Sequence, residues 1–278
     1  MARREEGFFQ SKDQTRLFFQ MTQPDAEPKG WVALLHGYAD HLGRYSQFVD
    51  HLVGQGFGVF AMDYRGHGKS DGRRGFVKVW SDYLDDADVL WEHMQVVAGD
   101  LPKFLLGHSH GGLMALHFVL RRPSAARGLV LTAPYLQLAI KAPPAKVLAG
   151  RLVGMVVPWL PIKSELTTAH LSRDTAWVAT TDADPLYIRT VTPGWFTQSS
   201  QAQAALAGKA GDIKLPLLCI TGANDGVAST PATRAFFELT GSADKTLEEM
   251  PGMLHEVLNE LGKEAVHASI SRWISAHL

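Results

Sequence analysis

The run Gly107-His108-Ser109-His110-Gly111 has the clearest potential for chemistry in this sequence, because it has the form Gly-x-Ser-x-Gly. Residues 103–106 predict a short buried strand before it, and residues 112–120 predict a helix after it. A serine at such a turn is exposed at a helix N-terminus, where free N–H groups favour negative charge. Glycines are needed because the turn leaves little room for Cβ atoms. The pattern predicts a nucleophilic serine; the alternative is a glycine-rich turn with an idle hydroxyl.

A serine nucleophile requires a base, and the base requires an orienting group. In one known chain order the acid follows the serine and the histidine follows the acid. Asp225 comes after an apolar strand predicted to end at 221, and His255 comes after the next strand, predicted to end at 250. We therefore expect Asp225 and His255 to complete a triad with Ser109. Asp225 could instead be only a turn residue in Asn-Asp-Gly, and His255 a partly buried loop histidine.

A tetrahedral intermediate needs two N–H donors directed at its oxyanion. The backbone of His110, directly after the nucleophile, is the first candidate. The second is Tyr38, in the loop after the predicted strand 31–35, where Gly37 gives the backbone room to turn.

The side chain of His110 has two interpretations that the sequence leaves open. It could supply an additional proton donor beside Ser109, or it could pack under a lid and contribute only its backbone N–H. The pair His108 and His110 could suggest a metal site, but no cysteine or clustered carboxylate accompanies it. We expect no metal and no cofactor.

The composition is that of an ordinary globular domain. The chain has 278 residues, 46% hydrophobic and 20% charged, with a formal net charge of −1. This balance gives no reason to expect nucleic acid or an anionic membrane surface as a partner. Cys219, the single cysteine, lies in an apolar run and is expected to be buried. The sequence shows neither a secretory signal nor an apolar run of about 18 residues, so a cytoplasmic enzyme is expected.

Apolar strands alternate with amphipathic helices over most of the chain, which predicts a mostly parallel sheet covered by helices. The expected strands are 7–12, 16–21, 31–35, 58–62, 103–106, 128–132, 216–221 and 246–250, and the expected helices are 44–56, 79–98, 112–120 and 256–277. Asp63 and Arg65 are expected to stabilise their loop by hydrogen bonds. The acidic residues Asp82, Asp85, Asp86 and Asp88 are expected to form a solvated helix face.

The alternation stops in a proline-rich segment, which predicts a helical cap at 135–211 inserted between core segments 1–134 and 212–278. Residues 143–157 are apolar apart from Lys146 and Arg151, and prolines at 143, 144 and 158 suit the two ends of a helix. This stretch and the following Trp159 could pack on the core, line a tunnel or contact a lipid surface.

Several longer segments resemble the monoacylglycerol lipase and lysophospholipase branch of the α/β-hydrolases. They are His36-Gly-Tyr-Ala-Asp-His-Leu-Gly-Arg-Tyr45, Asp63-Tyr-Arg-Gly-His-Gly-Lys-Ser-Asp-Gly72, the Gly-x-Ser-x-Gly run, 222–225 and 255–258, with weaker likeness at 171–173 and 184–186. The resemblance implies an α/β-hydrolase fold, the same triad and oxyanion pair, fatty-acyl monoesters as substrates and a cap over the acyl tunnel. Two residues depart from the family pattern: His110 replaces methionine, and Asp40 replaces glutamate.

The leading hypothesis is a cofactor-free serine hydrolase of monoacylglycerols or lysophospholipids that forms an acyl-enzyme. The alternatives are a small-ester esterase, a thioesterase, an acyltransferase, an epoxide hydrolase that uses His110 or the cap tyrosines, and a non-catalytic binding protein. Tyr135 and Tyr187 are the tyrosines in question, and both are expected near the substrate. Chain length, head group and oligomeric state are left open.

Overall fold

The computed structural model describes residues 2–139, 150 and 152–278. The N-terminal part of the predicted cap helix, including Pro143, Pro144, Lys146 and Arg151, lies outside the described residues. Within them the strands are β1 Arg3–Gln10, β2 Arg16–Gln23, β3 Trp31–Leu35, β4 Gly58–Met62, β5 Lys103–His108, β6 Gly128–Thr132, β7 Ile162–Lys163, β8 Thr190–Val191, β9 Leu217–Gly222 and β10 Lys245–Met250.

Eight of these strands form one sheet in the order β1-β2-β4-β3-β5-β6-β9-β10. The first two pairings, β1 with β2 and β2 with β4, are antiparallel, and the remaining five are parallel. In this register Leu35 lies opposite Gly107, and His108 lies opposite Thr132. The loops after β3 and β5 therefore leave the sheet at the same edge, where open α/β sheets bind their ligands.

Helices cover both faces of the sheet. They are α1 Ser46–Gly54, α2 Trp80–Ala98, α3 His110–Arg121, α4 Thr175–Ala183, α5 Pro193–Ala205, α6 Thr230–Leu239 and α7 Lys263–Ala276. Side chains of β3 alternate between the two cores: Ala33 packs in the core that contains α2 and α3, whereas Val32 and Leu34 pack in the core that contains α1 and α7. The predicted fold class, a mostly parallel sheet between helical layers, is confirmed.

The last helix is shorter than the sequence pattern predicts. It begins at Lys263 rather than at 256, and His277 follows its last residue. The preceding segment is held in turns by distant partners. The Glu256 N–H donates to the Leu171 carbonyl at 2.9 Å, and the Glu260 carboxylate accepts from the Arg173 N–H at 3.0 Å. Tertiary contacts thus replace the first helical turns that local propensity favoured.

The prediction that the acidic residues of α2 form a solvated face is wrong for two of the four. Asp86 and Asp88 are fully buried. Arg65 donates to both oxygens of Asp86, at 2.8 and 2.6 Å, and Lys12 lies 2.9 Å from Asp88. Basic residues from distant parts of the chain therefore cover this face. Asp63 stabilises its loop as expected, since its carboxylate accepts from the Lys69 N–H at 2.8 Å. Arg65 attaches the same loop to α2 through its bonds to Asp86.

The segment between β6 and β9 connects two neighbouring strands of the sheet. Its described part contains α4, α5, the two-stranded β7–β8 pair and helical residues at 152–156. This segment lies over the edge of the sheet where the loops after β3 and β5 emerge: the Ile188 N–H donates to the Ala39 carbonyl at 2.8 Å.

Candidate active site

Ser109 lies on a strained turn between β5 and α3. Its backbone has φ 51° and ψ −115°, a region that non-glycine residues rarely adopt. The turn needs its glycines for a steric reason: a Cβ on Gly107 would lie 2.4 Å from the Gly111 carbonyl oxygen, and one on Gly111 would lie 2.1 Å from the Leu35 oxygen. The strand, turn and helix predicted around this serine are all present.

The structure brings Ser109, His255 and Asp225 into one hydrogen-bonded chain. The Ser109 hydroxyl lies 2.8 Å from His255 Nε2, and His255 Nδ1 lies 2.8 Å from Asp225 Oδ2. All three side chains are almost entirely removed from solvent. This geometry suits a base that takes the serine proton through Nε2 while a carboxylate fixes the tautomer at Nδ1.

Asp225 and His255 follow the last two strands of the sheet, as the sequence pattern predicts. The second oxygen of Asp225 accepts from the N–H groups of Val227 and Ala228, at 2.7 and 2.9 Å, so the carboxylate is fixed by its own turn. Burial acts to lower the pKa of His255, but the neighbouring Asp225, with Glu256 and Asp40, outweighs burial and raises this pKa. The site thus favours the positively charged form of the imidazole.

Two backbone N–H groups are available beside the serine. Among the described residues, neither the Tyr38 nor the His110 N–H has a backbone or side-chain acceptor. The loop that carries Tyr38 is fixed at Gly37, whose N–H donates to the Tyr45 hydroxyl at 3.2 Å and whose carbonyl accepts from Tyr64 at 2.9 Å. Both N–H groups are therefore free to bind an oxyanion.

The His110 imidazole is enclosed by aromatic rings and is neutral. It is 0% exposed, and neither ring nitrogen has a hydrogen-bond partner among the described residues. Burial lowers its pKa to about 3. The rings that surround it at centroid distances of 5.1 to 6.2 Å are Tyr38, Tyr64, Trp80, Tyr83 and Trp195. An imidazolium at this position is therefore not available as an acid at neutral pH.

His108 is engaged by protein groups on both sides of its ring. Its Nδ1 lies 3.1 Å from the Thr132 hydroxyl, and its Nε2 lies 3.1 Å from Glu256 Oε1. Across the described part of the chain, no cluster of three or more histidine, cysteine or acidic side chains could hold a metal ion.

A cavity of about 610 Å³ opens at Ser109 and is lined by core and cap residues together. Tyr135 and Tyr187, both expected near the substrate, lie in its wall, and burial raises the pKa of both phenols. Its apolar lining includes Leu138, Leu166, Leu171, Ile188, Phe196 and Val227. Such a lining suits an apolar ligand, and Ser109 lies in the same wall.

Two buried carboxylates in the cavity wall, Asp40 and Glu256, were not predicted as site residues. Burial and the nearby Glu256 raise the pKa of Asp40 to about 6, although the Arg44 guanidinium, 3.0 Å away, acts to lower it. Their sequence positions offered one signal: Asp40 follows the oxyanion loop, and Glu256 follows His255 directly.

The cap packs directly on the residues that form the site. The Tyr38 ring stacks on Trp195 of α5 with a centroid separation of 3.7 Å, and its hydroxyl lies 3.1 Å from the Thr190 carbonyl. His41 in the same core loop lies 2.7 Å from the Asp184 carboxylate of the cap. The position of the cap is thus linked to the loop that carries the Tyr38 N–H.

No helix in the described ranges is long and apolar enough to cross a membrane.

The eight-stranded, mostly parallel sheet and the serine turn at the end of its fifth strand define an α/β-hydrolase. Comparison with known proteins agrees. The family described as serine aminopeptidase, S33, matches residues 26–262. The chain belongs to this family of α/β-hydrolases and is a hydrolase.

Two relatives match along most of their length. A monoacylglycerol lipase of Mycolicibacterium smegmatis is 30% identical, with 99% of this chain and 98% of the relative covered. A human monoglyceride lipase is 32% identical over 93% of this chain and 86% of its own. The crystal structure of a monoacylglycerol lipase from Paleococcus ferrophilus superposes with a TM-score of 0.84 at 29% identity, with both chains fully covered. The resemblance predicted from the sequence motifs is confirmed.

Proposed function

We propose that this hydrolase cleaves fatty-acyl monoesters, either monoacylglycerols or lysophospholipids, through an acyl-enzyme on Ser109. The observation that carries the proposal is the hydrogen-bonded chain from Ser109 to His255 to Asp225, with 2.8 Å at each step, at the wall of a largely apolar cavity. Relatives described as monoacylglycerol lipases, similar over nearly the whole chain, support the substrate class.

In the proposed reaction the Ser109 hydroxyl attacks the ester carbonyl while His255 Nε2 takes its proton. The N–H groups of Tyr38 and His110 bind the oxyanion of the tetrahedral intermediate. The intermediate collapses, and the alcohol leaves with the proton from His255. Water, activated by the same imidazole, then hydrolyses the acyl-enzyme and releases the fatty acid. Asp225 holds the His255 tautomer throughout and stabilises the imidazolium.

Residues 135–211 act in this proposal as the cap that forms the roof of the acyl-binding cavity over core segments 1–134 and 212–278. Tyr135 and Tyr187 contact the bound substrate, since both line the cavity. The hydrogen-bonding groups that suit an alcohol moiety, such as Asp40 and Thr168, lie in the same wall. No cofactor is needed for any step.

The test is hydrolysis of a chain-length series of 1-monoacylglycerols and matched 4-nitrophenyl esters by the wild-type protein and by Ser109→Ala. We expect turnover to peak at one chain length and to fall at least about 10³-fold in Ser109→Ala. Turnover of short esters alone would contradict the lipid assignment, and activity that survives Ser109→Ala would contradict the acyl-enzyme. Epoxides and thioesters tested in parallel would identify the alternative reaction.

We also propose that the cap contacts lipid surfaces through a patch formed by Met155, Val156, Trp159, Leu160 and Ile162. These side chains are between 42% and 75% exposed. The patch ends directly before Lys163, which lies in the cavity wall. Exposed apolar groups beside a cavity mouth let a lipid substrate enter from a bilayer or micelle without crossing water.

This contact predicts that the protein sediments with phosphatidylcholine vesicles, and that Leu160→Asp combined with Trp159→Ala weakens this binding by at least about tenfold. Val96→Asp is the matched control, because Val96 is an apolar residue, 85% exposed, in the C-terminal turn of α2 and outside the patch. It should bind the vesicles as the wild-type protein does. Equal vesicle binding by all three proteins would rule out the patch as the contact.

A further inference from the structure

Glu256 is a buried carboxylate that the proposed triad does not use. It follows His255 directly and is 5% exposed. Its Oε1 lies 3.1 Å from His108 Nε2, and its Oε2 accepts from Asn259 Nδ2 at 3.1 Å. Its backbone N–H donates to the Leu171 carbonyl of the cap at 2.9 Å. The side chain is therefore fixed on both oxygens, within the layer that surrounds the catalytic imidazole.

Both ring nitrogens of His108 are engaged, one by Thr132 and one by Glu256. The Thr132 hydroxyl can donate to His108 Nδ1, so one ring proton, on Nε2, satisfies both contacts of this imidazole. The negative charge of Glu256 is thus held in place by a hydrogen bond from His108 Nε2.

Glu256 carries that charge at neutral pH. Burial acts to raise its pKa, but His108, His255 and the Asn259 amide together outweigh burial and lower this pKa to about 2. The ring of His255 lies 5.2 Å from the ring of His108, measured between centroids. His255, which becomes positively charged during the reaction, is therefore a close titratable neighbour of a fixed negative charge.

We propose that Glu256 is a positioning residue for His255: its carboxylate, held by His108 and Asn259, stabilises the His255 imidazolium together with Asp225. This inference rests on the proposed function. Glu256 acts on His255 through its electric field and takes no proton itself. The proton transfers of the proposed reaction therefore stay as described above.

Other ionisable groups face the same pair. Asp40, from the loop after β3, interacts electrostatically with both His255 and Glu256. The Arg44 guanidinium, 3.0 Å from Asp40, partly offsets its negative charge. Tyr45 and Tyr187 also face Glu256, and burial raises the pKa of both phenols, so neither carries charge at neutral pH. Asp225 and Glu256 are therefore the two carboxylates whose removal most directly changes the charge around His255.

The test is the pH dependence of kcat/KM for Glu256→Gln, Glu256→Asp and the wild-type protein, with a monoacylglycerol and with 4-nitrophenyl butyrate. Loss of the charge should move the acid limb of both profiles to lower pH by about half a unit to one unit. Maximal kcat should fall between about three- and tenfold, because the imidazolium loses the same stabilisation. Glu256→Asp keeps the charge and should retain most of the wild-type acid limb.

Glu260→Gln is the matched control. Glu260 is also fully buried, but its carboxylate accepts backbone N–H groups, including that of Arg173 at 3.0 Å, and it makes no contact with His255 or His108 among the described residues. Its replacement should lower the free energy of unfolding and leave the acid limb in place.

An unmoved acid limb in Glu256→Gln would overturn the inference. A loss confined to the monoacylglycerol would also overturn it, since Glu256 would then act on the alcohol moiety. Ser109→Ala, measured on the same substrates, separates these results from failure of the proposed function. Activity that survives Ser109→Ala overturns both, whereas an unmoved limb with Ser109-dependent activity overturns only the role of Glu256.

Discussion

At the scale of single residues, the candidate site requires Ser109 to adopt a strained backbone conformation, which lowers the stability of the folded state. With this positive φ of 51° the hydroxyl lies 2.8 Å from His255 Nε2, and the next residue, His110, lines the same cavity. A Cβ atom at such φ and ψ values costs about 1–3 kcal/mol. Surrounding contacts maintain the strain: the Ser109 N–H donates to the Thr132 carbonyl at 2.9 Å, and its own carbonyl accepts from Gly112 and Tyr135, each at 2.9 Å.

This strain predicts a difference between two inactive variants. Ser109→Gly and Ser109→Ala both lack the hydroxyl, but only alanine keeps the Cβ atom. We expect Ser109→Gly to be the more stable by about 1 kcal/mol, because glycine adopts positive φ without steric cost. Urea unfolding of the two proteins measures the difference. Equal stability, or greater stability of the alanine variant, would show that the turn stores no strain at this residue.

At the scale of secondary-structure elements, helix α2 shows how distant residues change the meaning of a local pattern. Its acidic residues have the spacing of a solvated face, yet Asp86 and Asp88 are buried. Asp86 receives two hydrogen bonds from the Arg65 guanidinium and one, at 2.6 Å, from the Ser11 hydroxyl. The β1–β2 turn and the loop after β4 are therefore attached to α2 by charge, beside the aromatic residues that enclose His110.

Replacement of Arg65 by methionine would leave Asp86 buried without its counter-ion. We expect Arg65→Met to lower the free energy of unfolding by about 3 kcal/mol, since removal of one partner leaves an uncompensated charge. Glu92→Gln is the control, because the Glu92–Arg122 pair lies at the surface with Glu92 51% exposed. Its expected cost is below about 1 kcal/mol. Equal costs in chemical denaturation would contradict the buried-pair interpretation.

At the scale of the whole molecule, the cap and the core together enclose a set of neutral histidines. Burial lowers the pKa of His36, His67 and His110 well below the ordinary value, to about 3 for His110. His255 differs from these three histidines, because neighbouring carboxylates raise its pKa although burial acts to lower it. A folded chain that keeps these imidazoles neutral binds fewer protons than the unfolded chain does.

The protein should therefore lose stability in acid. The folded-state pKa of the three histidines is lowered, so the unfolded chain takes up more protons than the folded chain below pH 6.5. The free energy of unfolding therefore decreases as the pH is lowered. Between pH 7.5 and 5.5 the part due to His110 is about 1.4 kcal/mol. His110→Met should remove this part, measured as a smaller fall in the free energy of unfolding over the same interval.

Leu113→Met, which introduces the same residue type on the same helix and removes no ionisable group, is the control and should keep the wild-type pH dependence. An identical dependence in His110→Met and the wild-type protein would show that His110 is not the buried neutral group described above.

The sequence by itself determined the fold class, the family and the three residues of the candidate triad. Gly-x-Ser-x-Gly between a strand and a helix has few stereochemical solutions, and alternating apolar strands and amphipathic helices predict a parallel sheet. Asp225 and His255 followed from chain order and strand ends. The structure places His255 Nε2 2.8 Å from the Ser109 hydroxyl and Asp225 2.8 Å from His255 Nδ1.

Only the tertiary structure decided which charges are buried and what they contact. The burial of Asp86 depends on Arg65 and Ser11, and the ionisation of Glu256 depends on His108, which precedes it by 148 residues. The start of the last helix was likewise set by contacts of Glu256 and Glu260 rather than by local propensity. Local sequence patterns report which face of an element is apolar; the electrostatic environment of a side chain depends on groups that folding alone brings together.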